Sequence, residues 1–402
     1  MSGAARVVIV GCGFPQLGLL RAARELGVHV IGIDANPLAI GVAVCDEFHE
    51  VSTHDVDRIA EVARGTRAGG ITTCGSEIAL ASTVRAAERL GLPFYGDVMT
   101  VDRCQAKDEM RAAYRRGGAP IPAFIAATTL AEVQSFARTE GLPVVIKPSR
   151  GWGQRGVSKV EKESELTNAF ERARTASSTG IALVEAFIEG REFSVNAYTL
   201  HGATTVYSVT ERIITHYPDP PGITFAEWFP AGLDGDDEER AVQAALSGVR
   251  ALGIHRGPTY TQLRLGPRGA MIVETAYRLG GGLDPDVALL ASGTSLFRKI
   301  LGVALSREDW ESRGPERASH GGAIGKFLIG RPGRVVGIHG LEAARSMPGI
   351  VAAEVYVEPG GTVFALTDGS KRAGHVLAVG ADRDQANARA NAAANAIRIE
   401  TV

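Results

Sequence analysis

The sequence predicts a multidomain chain of α/β and α+β class, with a doubly wound parallel sheet first and a small α+β domain last. Three observations predict it. At roughly 150 residues per domain, 402 residues suggest two or three domains, each with enough chain for a core. A strand, a glycine turn, a helix and a second strand occupy the first 34 residues. After about Trp310 the chain breaks into short strands followed by one Ala-rich helix. Lys and Arg number 43 against 45 Asp and Glu, a net charge of −2 with both signs scattered, so no basic stripe points to nucleic acid. No run of 18 apolar residues occurs, and MSGAARVVIVG enters a strand at once, so the expectation is a cytoplasmic protein without a membrane partner. Cys12, Cys45, Cys74 and Cys104 form no C-x-x-C pair and read as free thiols.

Arg6 to Val10 (RVVIV) ends in Gly11-Cys12-Gly13, helical periodicity follows from Gln16 to Leu26, and Val28 to Ile33 ends at Asp34. This βαβ unit of about 30 residues is Rossmann-like. It also raises an NAD-dependent oxidoreductase as a reading from another class, because Asp34 sits where a ribose-binding acid belongs. The glycine spacing argues against it: the sixth position from Gly11 is Gln16, and the third glycine comes only at Gly18. Gly70 to Thr73, then Gly75-Ser76-Glu77 and a helix from about Ile78 to Leu90, continue the α/β pattern.

From Asp102 the pattern changes. Lys107-Asp108-Glu109-Met110-Arg111 opens a helix to about Arg116, and Gly117-Gly118 ends it. Leu142-Pro143-Val144-Val145-Ile146-Lys147-Pro148 is a strand whose last residue before proline is lysine, followed by the Gly-rich stretch 149–157. A strand-end ammonium beside glycines that expose backbone N–H groups suits a polyphosphate, although the order is not that of a Walker A loop. Only seven of the 43 cations are lysines, which gives Lys107 and Lys147 more weight. The next strand, from about Ile181 to Ile188, leads into Glu189-Gly190-Arg191-Glu192-Phe193-Ser194-Val195.

Pro258 to Leu265 and Ala270 to Thr275 flank Gly266-Pro267-Arg268-Gly269, a hairpin signal. A three-residue loop centred on Arg268 would set Gln262 directly across from Glu274, with Cβ atoms about 5 Å apart. Glu274 is followed at i+4 by Arg278, in Tyr277-Arg278-Leu279-Gly280-Gly281-Gly282.

Taken in order, K-D-x-M-R, P-V-V-I-K-P, the Gly-rich loop, V-E-x-F-I-x-G-x-E-x-S-V and E-x-x-x-R-L-G-G-G resemble the ATP-grasp superfamily of carboxylate–amine ligases, and within it the L-amino acid (dipeptide) ligases. The resemblance implies a pre-ATP-grasp Rossmann-like domain over 1–102, an ATP-grasp fold over 103–310 with a mobile lid at about 118–190, and a ligase-associated domain over 311–402. It implies that Lys107 and Lys147 contact ATP phosphates under a loop carrying Ser149, Gly151, Gly153, Gly156 and Val157. The backbone of Glu185, Ala186, Phe187 and Ile188 would hold adenine, and Glu192 the ribose hydroxyls. Mg²⁺, with Mn²⁺ as a substitute, would sit at Glu274 and Gln262. The family pattern has a carboxylate at the first of these positions and an Asn where this chain has Ala276.

Arg278 matches the family's arginine at the reaction centre, where a guanidinium clamps a carboxylate, a phosphoryl oxygen or an oxyanion. The aromatic and Pro/Gly-rich stretch from Thr210 to Pro230 suits a substrate wall, with His216 and Trp228 as candidate contacts, together with Arg278, Gly281 and Gly282. Asp382, with Gln385 three residues on, reads as the capped start of the last helix. The expected function is ATP-dependent amide or peptide bond formation through an acyl phosphate, releasing ADP and phosphate, with small carboxylate and amine substrates, in a chain that could form a homodimer. The alternatives within reach are a biotin-carboxylase-like or formate-activating enzyme and a catalytically silent nucleotide-binding protein.

Overall fold

The computed structural model describes residues 4–151, 155–215, 222–315 and 320–402. Four parallel strands open the chain in the order Glu47–Glu50, His29–Asp34, Arg6–Val10, Gly70–Thr72. Period two assigns the central strand to two cores. Val7 and Ile9 pack with Leu19 and Leu20 on one face, while Val8 and Val10 pack with Ile59 and Ala63 on the other. The edge strand Glu47–Glu50 was not foreseen, since its half-exposed EFHE carries no apolar signal. Helix Val98–Gln105 runs across the junction expected at 102 and 103.

The glycine turn after the first strand is closed to a dinucleotide. A Cβ on Gly11, which has φ +94°, would lie 2.8 Å from the Gln16 side chain. Gln16 itself fills that space and donates to the Cys74 carbonyl at 2.6 Å. Asp34 is spent on the backbone, accepting from Cys12 N–H at 2.8 Å and from Asn36 N–H at 2.9 Å. The oxidoreductase reading loses both features that carried it.

A second, antiparallel sheet has the order Phe124–Ala127, Ala182–Ala186, Val144–Pro148, Ser158–Val160. Helices Leu130–Glu140 and Leu166–Ala176 cover it, and their Val133, Phe136 and Phe170 form a separate core with its Val144 and Val184.

The largest sheet has eight strands: Gly269–Ala276, Gly257–Gly266, Arg191–Leu200, Ala203–Thr215, Ile223–Phe229, Gly322–Leu328, Gly374–Gly380 and Ile350–Val355, neighbour to neighbour. Three strands after residue 311, Gly322–Leu328, Gly374–Gly380 and Ile350–Val355, therefore extend the sheet that carries the hairpin. A fourth, smaller sheet joins Thr362–Val363, Gly333–His339 and Arg398–Thr401. No single helix among the described residues is long and apolar enough to cross a membrane.

The last helix, Arg383–Ala396, starts as the sequence predicts, with Asp382 Oδ1 accepting from Gln385 N–H at 2.8 Å. The return arm lands one residue early, on Ala381 N–H at 2.9 Å, so the cap is not a reciprocal box. Replacing Asp382 with alanine is expected to cost about 1 kcal/mol, read as a lower urea midpoint at unchanged slope.

Candidate active site

A cavity of about 780 Å³ lies between the antiparallel four-stranded sheet and the hairpin end of the large sheet. Its size is that of a small-molecule site. Three segments bring its charges together. Helix Lys107–Arg116 has no side-chain cap, and the backbone of the Gly-rich stretch supplies the tie instead: Lys107 N–H donates to Ser149 O at 2.9 Å. Ser149 Oγ donates to Asp108, and Lys107 Nζ donates to Gly151 O at 3.1 Å. The helix start is thereby fixed beside the end of strand Val144–Pro148, which carries Lys147.

One helical turn after Lys107, Arg111 reaches Glu185 on the neighbouring strand, and Lys147 Nζ meets the other Glu185 oxygen at 2.7 Å. Strand pairing sets Val145 opposite Glu185, which makes Lys147 its diagonal neighbour. The three residues, Arg111, Glu185 and Lys147, are 1%, 4% and 6% exposed. Burial alone would raise the Glu185 carboxyl, but the two cations hold it down at about 2. Burial also pulls the Lys147 ammonium below its ordinary value against the pull of Glu185. The sequence reading gave Glu185 a backbone role at adenine; the structure adds that its side chain is the counter-ion of this cation pair.

The stretch after it is held by arginines. Arg268 donates to Phe187 O at 3.1 Å and Arg264 to Ile188 O at 2.8 Å, while Ala186 N–H is taken by Ala123 O at 3.0 Å. Glu192 lines the cavity between two guanidinium groups, Arg264 directly across the strand pair and Arg212 at 3.0 Å.

Gln262 and Glu274 are paired across the hairpin as expected, though by a different route. The loop has two residues, Pro267 and Arg268, between paired Gly266 and Gly269, and a register shift after Gln262 restores the partner. Glu274 has no hydrogen bond or ion pair among the described residues. Burial disfavours its charge, and Lys107, Lys147, Arg278 and Arg111 together outweigh that and hold its carboxyl below the usual range. A carboxylate kept ionised and unpartnered on a cavity wall fits a divalent cation. The Gln262 carboxamide oxygen, by contrast, already accepts from Arg212 at 3.0 Å, and Ala276 brings no donor atom.

Arg278 lines the same cavity. Its guanidinium lies 2.8 Å from Glu77 and donates to Leu279 O at 2.9 Å, and its buried Nε has no partner among the described residues. Glu77 begins helix Glu77–Leu90 of the first domain, behind the Ser76 cap. A Cβ on Gly281 would lie 2.6 Å from Gly75 O, so the glycine lets the two loops touch. A Cβ on Gly282 would lie 3.0 Å from Glu227 Oε1. Both glycines thus serve loop packing in this structure.

Gly156, at φ +75° and with Ala176 Cβ 2.8 Å from any Cβ it would carry, is required by its own turn, while Gly151 and Val157 line the cavity. Trp228 departs from the expected wall. It packs against the C-terminal core under Arg383, 4.5 Å from ring centroid to guanidinium carbon, because strand alternation turns Glu227, not Trp228, toward Gly282. Gly153 and His216 lie outside the described residues. Arg111, Glu77, Arg212 and Arg264 were not foreseen as site residues. Only Arg111 had a signal, its i+4 spacing from Lys107; the others depend on pairings that sequence spacing does not reveal.

Comparison with known proteins finds two family matches along the chain. Residues 140–286 match the ATP-grasp domain family, and residues 326–402 match the L-amino acid ligase C-terminal domain 2. The ATP-grasp match spans the segment that carries Lys147, Glu185, Gln262, Glu274 and Arg278. L-amino acid ligases and alanine ligases are among the proteins this chain resembles.

A protein of Sinorhizobium fredii described as uncharacterized protein y4rH is 29% identical over 378 residues, 92% of this chain and 77% of its own length. The alanine–anticapsin ligase of Bacillus subtilis is 27% identical over 63% of this chain, which spans 55% of that enzyme. The crystal structure of the L-amino acid ligase from Bacillus licheniformis superposes with a TM-score of 0.82 at 22% identity, covering 100% of both chains. That likeness concerns the fold.

Proposed function

We propose that this chain uses MgATP to phosphorylate a small carboxylic acid of the amino acid class and joins the resulting acyl phosphate to an amine, releasing ADP and phosphate in the cytoplasm. The observation that carries the reading is the convergence on one cavity of Lys107, Lys147, Arg278 and Glu274, which is unpartnered among the described residues. A divalent cation on Glu274, when bound, offsets phosphate charge. Lys107 and Lys147 do the same from fixed positions on a helix start and a strand end.

Arg278, held by Glu77 and the Leu279 carbonyl, presents a guanidinium that orients an acyl group and stabilises the oxyanion formed when an amine attacks it. The amine's proton leaves with the departing phosphate, since the mechanism requires no side-chain base. Acyl phosphates react with water, so the reaction needs a cavity from which water is excluded.

The test is phosphate release with ADP and AMP resolved, across a matrix of amino acids offered as paired acid and amine. ADP and phosphate appearing only with particular pairs is the expected result. AMP as the product, or release that ignores the acid and amine supplied, would sink the acyl-phosphate reading. Nucleotide binding without release from any pair would favour the silent nucleotide-binding alternative that Gln262 and Ala276 suggest.

A further inference from the structure

Arg212 is fixed at three points. One terminal nitrogen donates to Glu192 Oε2 and to Gln262 Oε1, each at 3.0 Å, and the other donates to Thr224 Oγ1 at 2.6 Å. Those partners sit on strands Arg191–Leu200, Gly257–Gly266 and Ile223–Phe229, so the guanidinium is locked into the sheet floor of the cavity it lines. Its buried Nε has no hydrogen-bond partner among the described residues. The cation therefore occupies the first metal position of the hairpin's pattern, and it uses the one oxygen that Gln262 could offer to a metal in this arrangement.

Charge leads to the same place. Among the described residues, seven cationic and five anionic side chains line the cavity, a net of two positive charges. A nucleoside triphosphate carries roughly four negative charges at neutral pH, and one divalent ion reduces that to two, which the lining matches. A second divalent ion would leave the cavity with an uncompensated positive excess, which a partly desolvated site opposes. No group of three or more His, Cys, Asp or Glu able to hold a metal occurs among the described residues, and Glu274 is the unpartnered carboxylate at the hairpin.

We infer that the site takes one divalent cation beside the nucleotide, on Glu274, and that the Arg212 guanidinium supplies the positive charge of a second. The inference rests on the nucleotide reading above. It makes Arg212 a positioning residue that fixes Glu192 and Gln262, and it makes Gln262 the anchor of that cation, not a metal ligand. It also implies that restoring an acid at 262 is insufficient to recruit a metal, because Arg212 would pair with the new carboxylate.

The experiment counts Mn²⁺ by electron paramagnetic resonance, as loss of the free-ion signal, in the full chain with a non-hydrolysable ATP analogue. Calorimetry on the same samples gives nucleotide occupancy. The expected count is one Mn²⁺ per bound nucleotide in the natural sequence and in Gln262→Glu, rising to two in the double variant Arg212→Gln with Gln262→Glu. Two Mn²⁺ per bound nucleotide in the natural sequence would overturn the inference and leave the nucleotide reading standing. A folded double variant that stays at one would remove the part assigned to Arg212. Failure of the analogue to bind at all would overturn the nucleotide reading, and this inference with it.

Discussion

Replacing Glu185 with alanine is expected to destabilise the fold by about 3–5 kcal/mol, because it leaves Lys147 and Arg111 buried with no counter-ion between them. Glu185→Gln keeps the shape and removes the charge, so it should lose most of the same stability. Calorimetric unfolding of the two variants checks this, and a glutamine variant as stable as the natural chain would show that shape, not charge, holds the cluster. The cluster also predicts acid sensitivity. The Glu185 carboxyl lies at about 2 in the folded chain against 4.5 ordinarily, so its contribution is full above about 4.5 and is lost as pH falls toward 2.

The second large effect is at the reaction centre. On the function proposed above, Arg278→Ala should lower turnover by about 10²–10³-fold while nucleotide affinity changes little, since the guanidinium would face the acyl group and not the base of the nucleotide. Its removal also frees Glu77, but that carboxylate lies at a helix N-terminus, where it remains favoured. Arg278→Lys should not restore the rate, because an ammonium lacks the planar fork. Turnover at the natural level in Arg278→Ala would place the reaction centre elsewhere in the cavity.

Much of this site was legible because its parts are local. Lys107 and Arg111 lie one turn apart, Lys147 ends an apolar run at a proline, and Glu274 lies across a short hairpin from Gln262. What escaped the sequence is long-range. Glu192 meets Arg264 from 72 positions away, and Glu77 meets Arg278 from a helix far earlier in the chain. No periodicity encodes such pairs, because they depend on which strands become neighbours. Trp228 misled for a similar reason: an aromatic in a Pro/Gly-rich region looks like a pocket wall until strand alternation is known. The edge strand Glu47–Glu50 escaped because half-exposed edges need no apolar pattern.

The eight-stranded sheet bears on how such chains can be recombined. Strand Ile223–Phe229 is paired along one border with Ala203–Thr215, whose Arg212 reaches the cavity floor, and along the other with Gly322–Leu328, where Ala226 meets Lys326 and Phe229 meets Ala323. A chain ending near residue 315 would leave that second border bare, an open template for strands of other molecules. The C-terminal segment is thus a selvedge woven into the catalytic fabric, and a transplanted one would have to reproduce that stitching before it could alter anything else.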